Sequence, residues 1–187
     1  MLNILLDLDN TLISSLSKHE EKHRHRKHME KFIWKNMNGY YKVFERPGLQ
    51  KFLDFLFENF NVSVWTAASK IYALFIIEKF IFEDHPERNL NYIFFSHHCR
   101  RSRRVKSYQK SLSILNSEFA LTEFDVDSTY IIDDHPEVYE AQPNRCIKIK
   151  PFNFMDKKSH EDNELDKVVI PKLISLLNKN VTLFKTL

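Results

Sequence analysis

Apolar positions along the chain fall into short runs, and their period changes from one run to the next. Leu2 to Leu6 is apolar almost throughout and predicts a buried strand. Tyr40 to Phe44 predicts a short strand, and Arg46-Pro47-Gly48 a turn that launches a helix. In that helix Leu49, Phe52, Leu53, Leu56, Phe57 and Phe60 recur at helical spacing and make one apolar face. Val62, Val64 and Trp65 mark a second buried strand. Ser69 is placed to cap a helix from Lys70 to about Phe82. Tyr92 to Phe95 predicts a strand, Ser107 to Leu115 a helix, and Tyr130 to Ile132 a strand running into Asp133-Asp134-His135-Pro136. Cys146 to Ile149 reads as a last strand, and Leu165, Val168, Val169, Leu173 and Leu176 line a closing helix. Between the first strands, Lys18 to Lys31 is a charged, His-rich insertion expected to be a solvated helix or mobile loop. Strands alternating with helices predict an α/β sandwich around a mostly parallel sheet. The tail from Asn178 to Leu187 carries no interpretable signal.

Composition narrows the picture. A length of 187 residues fits one domain spanning the whole chain. Only two glycines occur, Gly39 and Gly48, which excludes a glycine-rich phosphate loop. A formal charge of +3 does not by itself point to nucleic acid. Two cysteines, Cys99 and Cys146, make no disulfide framework, so a reduced intracellular setting, nuclear or cytoplasmic, is expected. No apolar run is long enough to span a membrane, and acids interrupt the N-terminal run too soon for a signal peptide.

Candidate chemistry lies where the strands end. The first runs into Asp7 and Asp9, the second into Thr66, and the one at Tyr130 into Asp133 and Asp134. A single acidic pair is as well explained by capping. Two pairs on separate apolar strands are not. In open parallel sheets ligands sit beyond the carboxyl ends of the strands. If these strands are neighbours, four carboxylates and a hydroxyl converge, and a hard divalent cation, most simply Mg²⁺, relieves their repulsion.

These residues carry a resemblance. DLDNT matches the DxDxT signature of the haloacid dehalogenase (HAD) superfamily of phosphotransferases. VWTAAS, YQKSLSIL and IIDDHP resemble its second, third and fourth motifs, in the expected order. The finer resemblance is to the FCP/SCP group, phosphatases of the RNA polymerase II C-terminal domain, and includes RPG before a helix. It extends from Leu2 to about Leu177. The resemblance implies a Rossmannoid three-layer sandwich, essentially capless, with a small insertion after the first motif. It implies Asp7 as nucleophile forming an aspartyl-phosphate and Asp9 as general acid and then base. Thr66 would hydrogen-bond a phosphoryl oxygen, Lys110 would neutralise charge there, and Thr11 would fix the loop. Mg²⁺ would be held by Asp7, the Asp9 main-chain carbonyl and an acid from Asp133 and Asp134. Lys110 rather than Lys106 keeps Tyr108, Leu112, Ser113 and Leu115 in register with the motif. Two departures stand out: Asn10 replaces the usual Glu, and Asp134 stands where many close relatives have Asn.

The segments between Thr11, Thr66 and Lys110 leave no room for a full cap, so an open site for a phosphorylated protein segment is expected. Relatives hold a proline in an apolar pocket built by the insertion, and Tyr40, Tyr41, Val43 and Phe44 lie in the matching region. Arg100, Arg101, Arg103 and Arg104 form a basic cluster, read either as a surface loop or as a patch for an acidic, phosphorylated partner. His19, His23, His25 and His28 lack a closing metal ligand nearby and are expected to be solvated. Cys99 is expected to be packed. A nucleic-acid or nucleotide end phosphatase, and a non-catalytic scaffold of the same fold, are the rival readings. Retention of Asp7, Asp9, Thr66, Lys110 and both later acids speaks against the scaffold.

Overall fold

Five short strands, all parallel, form the main sheet in the computed structural model, which describes residues 1–185. At its centre is β1 (Asn3–Leu6), where every residue is buried. It pairs with β5 (Asn61–Trp65) on one side and β7 (Thr129–Asp133) on the other, with Leu6 level with Val64 and Ile132. β6 (Ile93–Phe94) and β8 (Cys146–Lys148) lie at the edges. A strand covered on both faces needs a near-continuous apolar run, which is why NILL and VSVW read as they do.

Side chains alternate between two cores. Ile4, Leu6, Val62, Val64 and Ile132 face α2 (Leu49–Asn59), α3 (Lys70–Ile76) and α7 (Ile170–Lys185). Leu5, Trp65 and Ile131 face α4 (Ser96–Lys106), α5 (Ser113–Ser117) and α6 (Pro136–Ala141) through Cys99, Ile114, Leu115 and Val138. The result is a three-layer α/β sandwich. The expected face of α2 is present, with Leu49, Phe52, Leu53 and Leu56 buried. Ser69 caps α3 by accepting from the Tyr72 N–H, and a π-helical turn, Ile77–Phe82, extends that helix to the expected end.

A second sheet is inserted between β1 and α2. Its strands β2 (Ile13–Ser17), β4 (Tyr41–Glu45) and β3 (Trp34–Met37) are antiparallel in the order β2-β4-β3. Three serines in ISSLS dilute the apolar signal of β2, and β3 is half-exposed along its length. Phe44 stacks on Phe154 with ring centroids 3.7 Å apart, and with Leu16 and Met29 they form a small core of their own. Val43 and Phe44 are buried, so they cannot line a substrate pocket as the resemblance suggested for that region.

Two other expectations are corrected. Lys18–Lys31 is not simply solvated: it contains a 3-10 turn, His23–His25, and α1 (Arg26–Met29), and it buries His25 and Met29. His28 Nε2 lies 2.9 Å from the Phe154 carbonyl and 3.2 Å from Ser159 Oγ. The helix expected at Ser107–Leu115 splits. α4 ends at Lys106, Ser107 turns left-handed with φ +67°, and α5 begins only at Ser113. The arginine cluster therefore sits on a helix, not on a loop.

Candidate active site

The sheet register sets the acids side by side. Asp7 follows β1 directly, and its N–H donates to the Ile132 carbonyl at 3.0 Å, continuing the ladder with β7. That brings Asp7 level with Asp133 at the carboxyl ends of the two strands. After Asp7 the chain doubles back. The Leu8 carbonyl accepts from the N–H groups of Thr11, Leu12 and Ile13 at 2.8–3.2 Å. Asn10 takes φ +58° in this turn, a region that Asn tolerates better than most residues. The turn carries Asp9 away from Asp7, where the Tyr72 hydroxyl donates to its Oδ1 at 2.7 Å.

Lys110 closes the other side. Its ammonium donates to Asp7 Oδ1 at 2.5 Å and to Asp133 Oδ2 at 2.7 Å, and all three groups are buried. Lys110 is held at φ +56°. Gln142 of the α6 end fixes that unusual backbone: its amide donates to the Lys110 carbonyl at 2.9 Å and its oxygen accepts from Leu112 N–H at 3.2 Å. Ser102 of α4 adds bonds to the Tyr108 carbonyl and the Ser111 N–H, both at 2.8 Å.

Two of the three clustered carboxylates, Asp7 and Asp133, share this one ammonium. Burial pushes the Asp7 carboxyl up to about 7; Lys110 opposes that rise while Asp133 and Asp134 add to it. Burial also raises Asp9, against the Tyr72 hydrogen bond, and raises Asp134, with Asp133 adding to it. Burial disfavours the Lys110 charge, but Asp7 and Asp133 outweigh it and the ammonium is held more tightly than usual. An oxygen from each of Asp7, Asp133 and Asp134 lies within 4.8 Å of the others, a donor set that suits a hard, oxygen-loving cation.

Thr66 follows β5, with its N–H on the Phe94 carbonyl and its Oγ1 accepting from Ala68 N–H at 3.0 Å. The structure thus brings Asp7, Lys110, Asp133 and Asp134 into one cluster and sets Asp9 and Thr66 in the same strand-end loops. The Thr11 hydroxyl reaches Asp134 Oδ1 at 3.4 Å. Cys99 is packed as expected; burial pushes its thiol up to about 11.

Tyr72, Gln142 and Arg46 are the supporting residues that motif reading missed. Arg46, fully buried, donates to the Thr11 carbonyl at 3.0 Å, to the Lys150 carbonyl at 2.9 Å and to both oxygens of Asp162 at 2.9 Å. It ties the first-motif loop to the loop after β8. Only the RPG string hinted at it. Beside Asp9, Tyr41 and Tyr72 line a cavity of about 450 Å³ with Met37 and Ile71, so of the insertion residues named earlier Tyr41 alone lines it. No helix among the described residues is long and apolar enough to cross a membrane.

Comparison with known proteins agrees with this architecture. The family model described as NLI interacting factor-like phosphatase matches residues 2–182. The CTD phosphatase-like protein 355R of Invertebrate iridescent virus 6 is 48% identical over 176 residues, which is 88% of this chain and 93% of that protein. Its counterpart in Invertebrate iridescent virus 3 is 40% identical over 172 residues, 88% of this chain and 91% of the relative. Two solved structures share the fold. One is Fcp1, an essential RNA polymerase II CTD phosphatase, with TM-score 0.53 and 21% identity over 80% of this chain. The other is the fission yeast CTD phosphatase Fcp1-R271A bound to beryllium fluoride, with TM-score 0.54 and 20% identity over 92% of this chain. The present chain spans 42% and 51% of those two chains. With a parallel sheet that ends in paired acids and a buried lysine between them, the chain is a phosphatase and belongs to the NLI interacting factor-like phosphatase family.

Proposed function

We propose that the protein hydrolyses phosphoserine or phosphothreonine in protein segments, with Mg²⁺, through a phosphoryl group carried on Asp7. The observation that carries this reading is the meeting of Asp7, Lys110, Asp133 and Asp134 at the ends of β1 and β7, with Asp9 set apart on its own partner, Tyr72. Asp7 is the only one of these acids directly continuing the central strand. Its carboxylate oxygen attacks phosphorus, and the bond from phosphorus to the serine oxygen breaks. Asp9, whose proton is favoured by burial, protonates that leaving oxygen. Water then attacks the same phosphorus, Asp9 takes its proton, and Asp7 and inorganic phosphate are released.

The other side chains hold charge and position. Lys110 lies against Asp7 and offsets the negative charge that gathers there. Thr66 accepts from Ala68 N–H, which leaves its own proton to donate to a phosphoryl oxygen. Asp7, the Asp9 carbonyl and an acid of the last pair would hold the cation. Both oxygens of Asp133 are already engaged, by Lys110 and by the His135 N–H at 2.8 Å. Half-buried Asp134 is therefore the better direct ligand and Asp133 the anchor for Lys110. When bound, the ion draws charge from the phosphoryl oxygens and makes them easier to attack.

The insertion adds a small sheet beside the crevice rather than a cap over it, which suits a bulky protein substrate. The cavity beside Asp9 suits an apolar side chain next to the phosphorylated residue. In this reading residues 1–187 act as one phosphatase domain, in the nucleus or cytoplasm, where Cys99 and Cys146 stay reduced. A turnover screen tests it. Phosphoserine and phosphothreonine peptides should be hydrolysed faster than phosphotyrosine peptides or 5′- and 3′-phosphorylated oligonucleotides. A chelator should abolish turnover and Mg²⁺ restore it. Preference for oligonucleotide ends, or full activity after exhaustive chelation, contradicts the reading.

A further inference from the structure

The arginine cluster is divided by its contacts. Arg101 is engaged by Glu118, and Arg103 by Glu137 at 2.9 Å. Among the described residues neither Arg100 nor Arg104 has an ion-pair partner, and both are exposed. They differ in where they lie. Arg100 and Arg103, one helical turn apart on α4, line a cavity of about 210 Å³ together with Ala67, Ser96, Cys99 and Gln109. Arg104 is not part of that lining.

This cavity abuts the crevice. Ala67 follows Thr66 in the chain, Gln109 precedes Lys110, and the Cys99 thiol contacts the Thr66 carbonyl at 3.5 Å. No carboxylate lines it, whereas the catalytic cluster next door holds three. Its polar groups are two guanidinium forks, a serine hydroxyl and a glutamine amide, all able to donate. Two guanidinium groups in a lining that holds no carboxylate favour an anion, and their planar donors suit the oxygens of phosphate.

We infer that Arg100 and Arg103 form a second anion subsite, which takes a further phosphate group on the same peptide as the phosphate being hydrolysed. The subsite rests on the phosphoprotein reading and gives it a substrate class: segments carrying at least two phosphorylated side chains a few residues apart. Glu137 holds Arg103 in place until the anion arrives and shares it afterwards. Arg100, without a partner, supplies the uncompensated charge. The same donors would take a carboxylate less well, since it offers fewer oxygens.

The test compares peptides of one sequence. Each carries one hydrolysable phosphoserine, and at offsets of one to five residues on either side it carries serine, glutamate or a non-hydrolysable phosphonate analogue of phosphoserine. At the best offset the phosphonate should raise kcat/KM about tenfold over serine, as one charge-assisted contact allows. Glutamate should raise it less. Arg100→Ala should remove that preference and Arg100→Lys should keep part of it, while Arg104→Ala, which makes the same change in net charge, should retain it. An equal loss in Arg100→Ala and Arg104→Ala shows a diffuse field instead of a subsite and overturns the inference, as does absence of any preference at all offsets. A preference tied to Arg100 that appears only with oligonucleotides carrying a second phosphate overturns it in favour of a nucleic acid. If the single phosphoserine peptide is not hydrolysed at all, it is the phosphoprotein reading that has failed.

Discussion

At the scale of single residues, the site is a problem of too much buried negative charge. Asp7, Asp133 and Asp134 face one lysine, so the cluster either retains a proton or binds a cation. This gives metal-free stability a definite pH dependence. The Asp7 carboxyl sits at about 7 in the folded chain against 3.8 for an ordinary aspartate. The folded state therefore binds more protons than the unfolded state between those values, and stability falls as pH rises through that window. Asp7→Asn removes the charge and keeps the shape. In chelator, the Tm of Asp7→Asn relative to wild type should rise steadily from pH 4 to pH 7.5, and Mg²⁺ added at pH 7.5 should raise the Tm of wild type but hardly that of the variant. Thermal melts across the pH series check this, and parallel melting curves at every pH would remove Asp7 as the seat of the strain.

At the scale of elements, one buried cation holds together loops that are far apart in sequence. Arg46 follows β4 and reaches the first-motif loop, the loop after β8 and Asp162. Arg46→Ala leaves the Asp162 carboxylate and two carbonyls without their donor in a poorly hydrated place. It should lower unfolding free energy by about 3–5 kcal/mol, and Arg46→Lys should recover only part, since an ammonium cannot make the paired contact. Urea titrations measure both, and a loss under about 1 kcal/mol for Arg46→Ala would show the clamp to be incidental. Such links are also where sequence reading ran out. Asp7, Asp9, Thr66, Asp133 and Asp134 were legible because they follow local apolar runs, and Lys110 because its neighbours keep the register of the third motif. Tyr72, Gln142 and the Arg46 clamp were not, because each acts on a residue more than thirty positions away. The break between α4 and α5 was hidden for the same reason. Lys110 adopts φ +56° under the hold of Gln142, Asp7 and Asp133, which no local propensity announces.

At the scale of the whole molecule, the central sheet was readable and the insertion was not. Parallel strands buried on both faces need continuous apolar runs, and the chain supplies them at Leu2–Leu6, Val62–Trp65 and Tyr130–Ile132. The inserted sheet is half-exposed and serine-rich, and its core borrows Phe154 from the far end of the fold, so its charges hid its packing. Together these layers put one strand-end crevice, a flanking apolar cavity and a flanking basic cavity around Asp7. The central claim is that the phosphoryl group passes through Asp7 and that Asp9 handles the protons. Both parts meet in one measurement on Asp9→Asn. An aryl phosphate with a good leaving group needs little protonation, so Asp7 should still be phosphorylated, while the water step, deprived of its base, should stall. Acid quenching after mixing, followed by mass spectrometry of the N-terminal peptide, should find one phosphoryl group on Asp7, and none in an Asp7→Asn, Asp9→Asn double variant. Phosphate bound to any other side chain, or rapid turnover by Asp9→Asn with no covalent adduct, would contradict the claim.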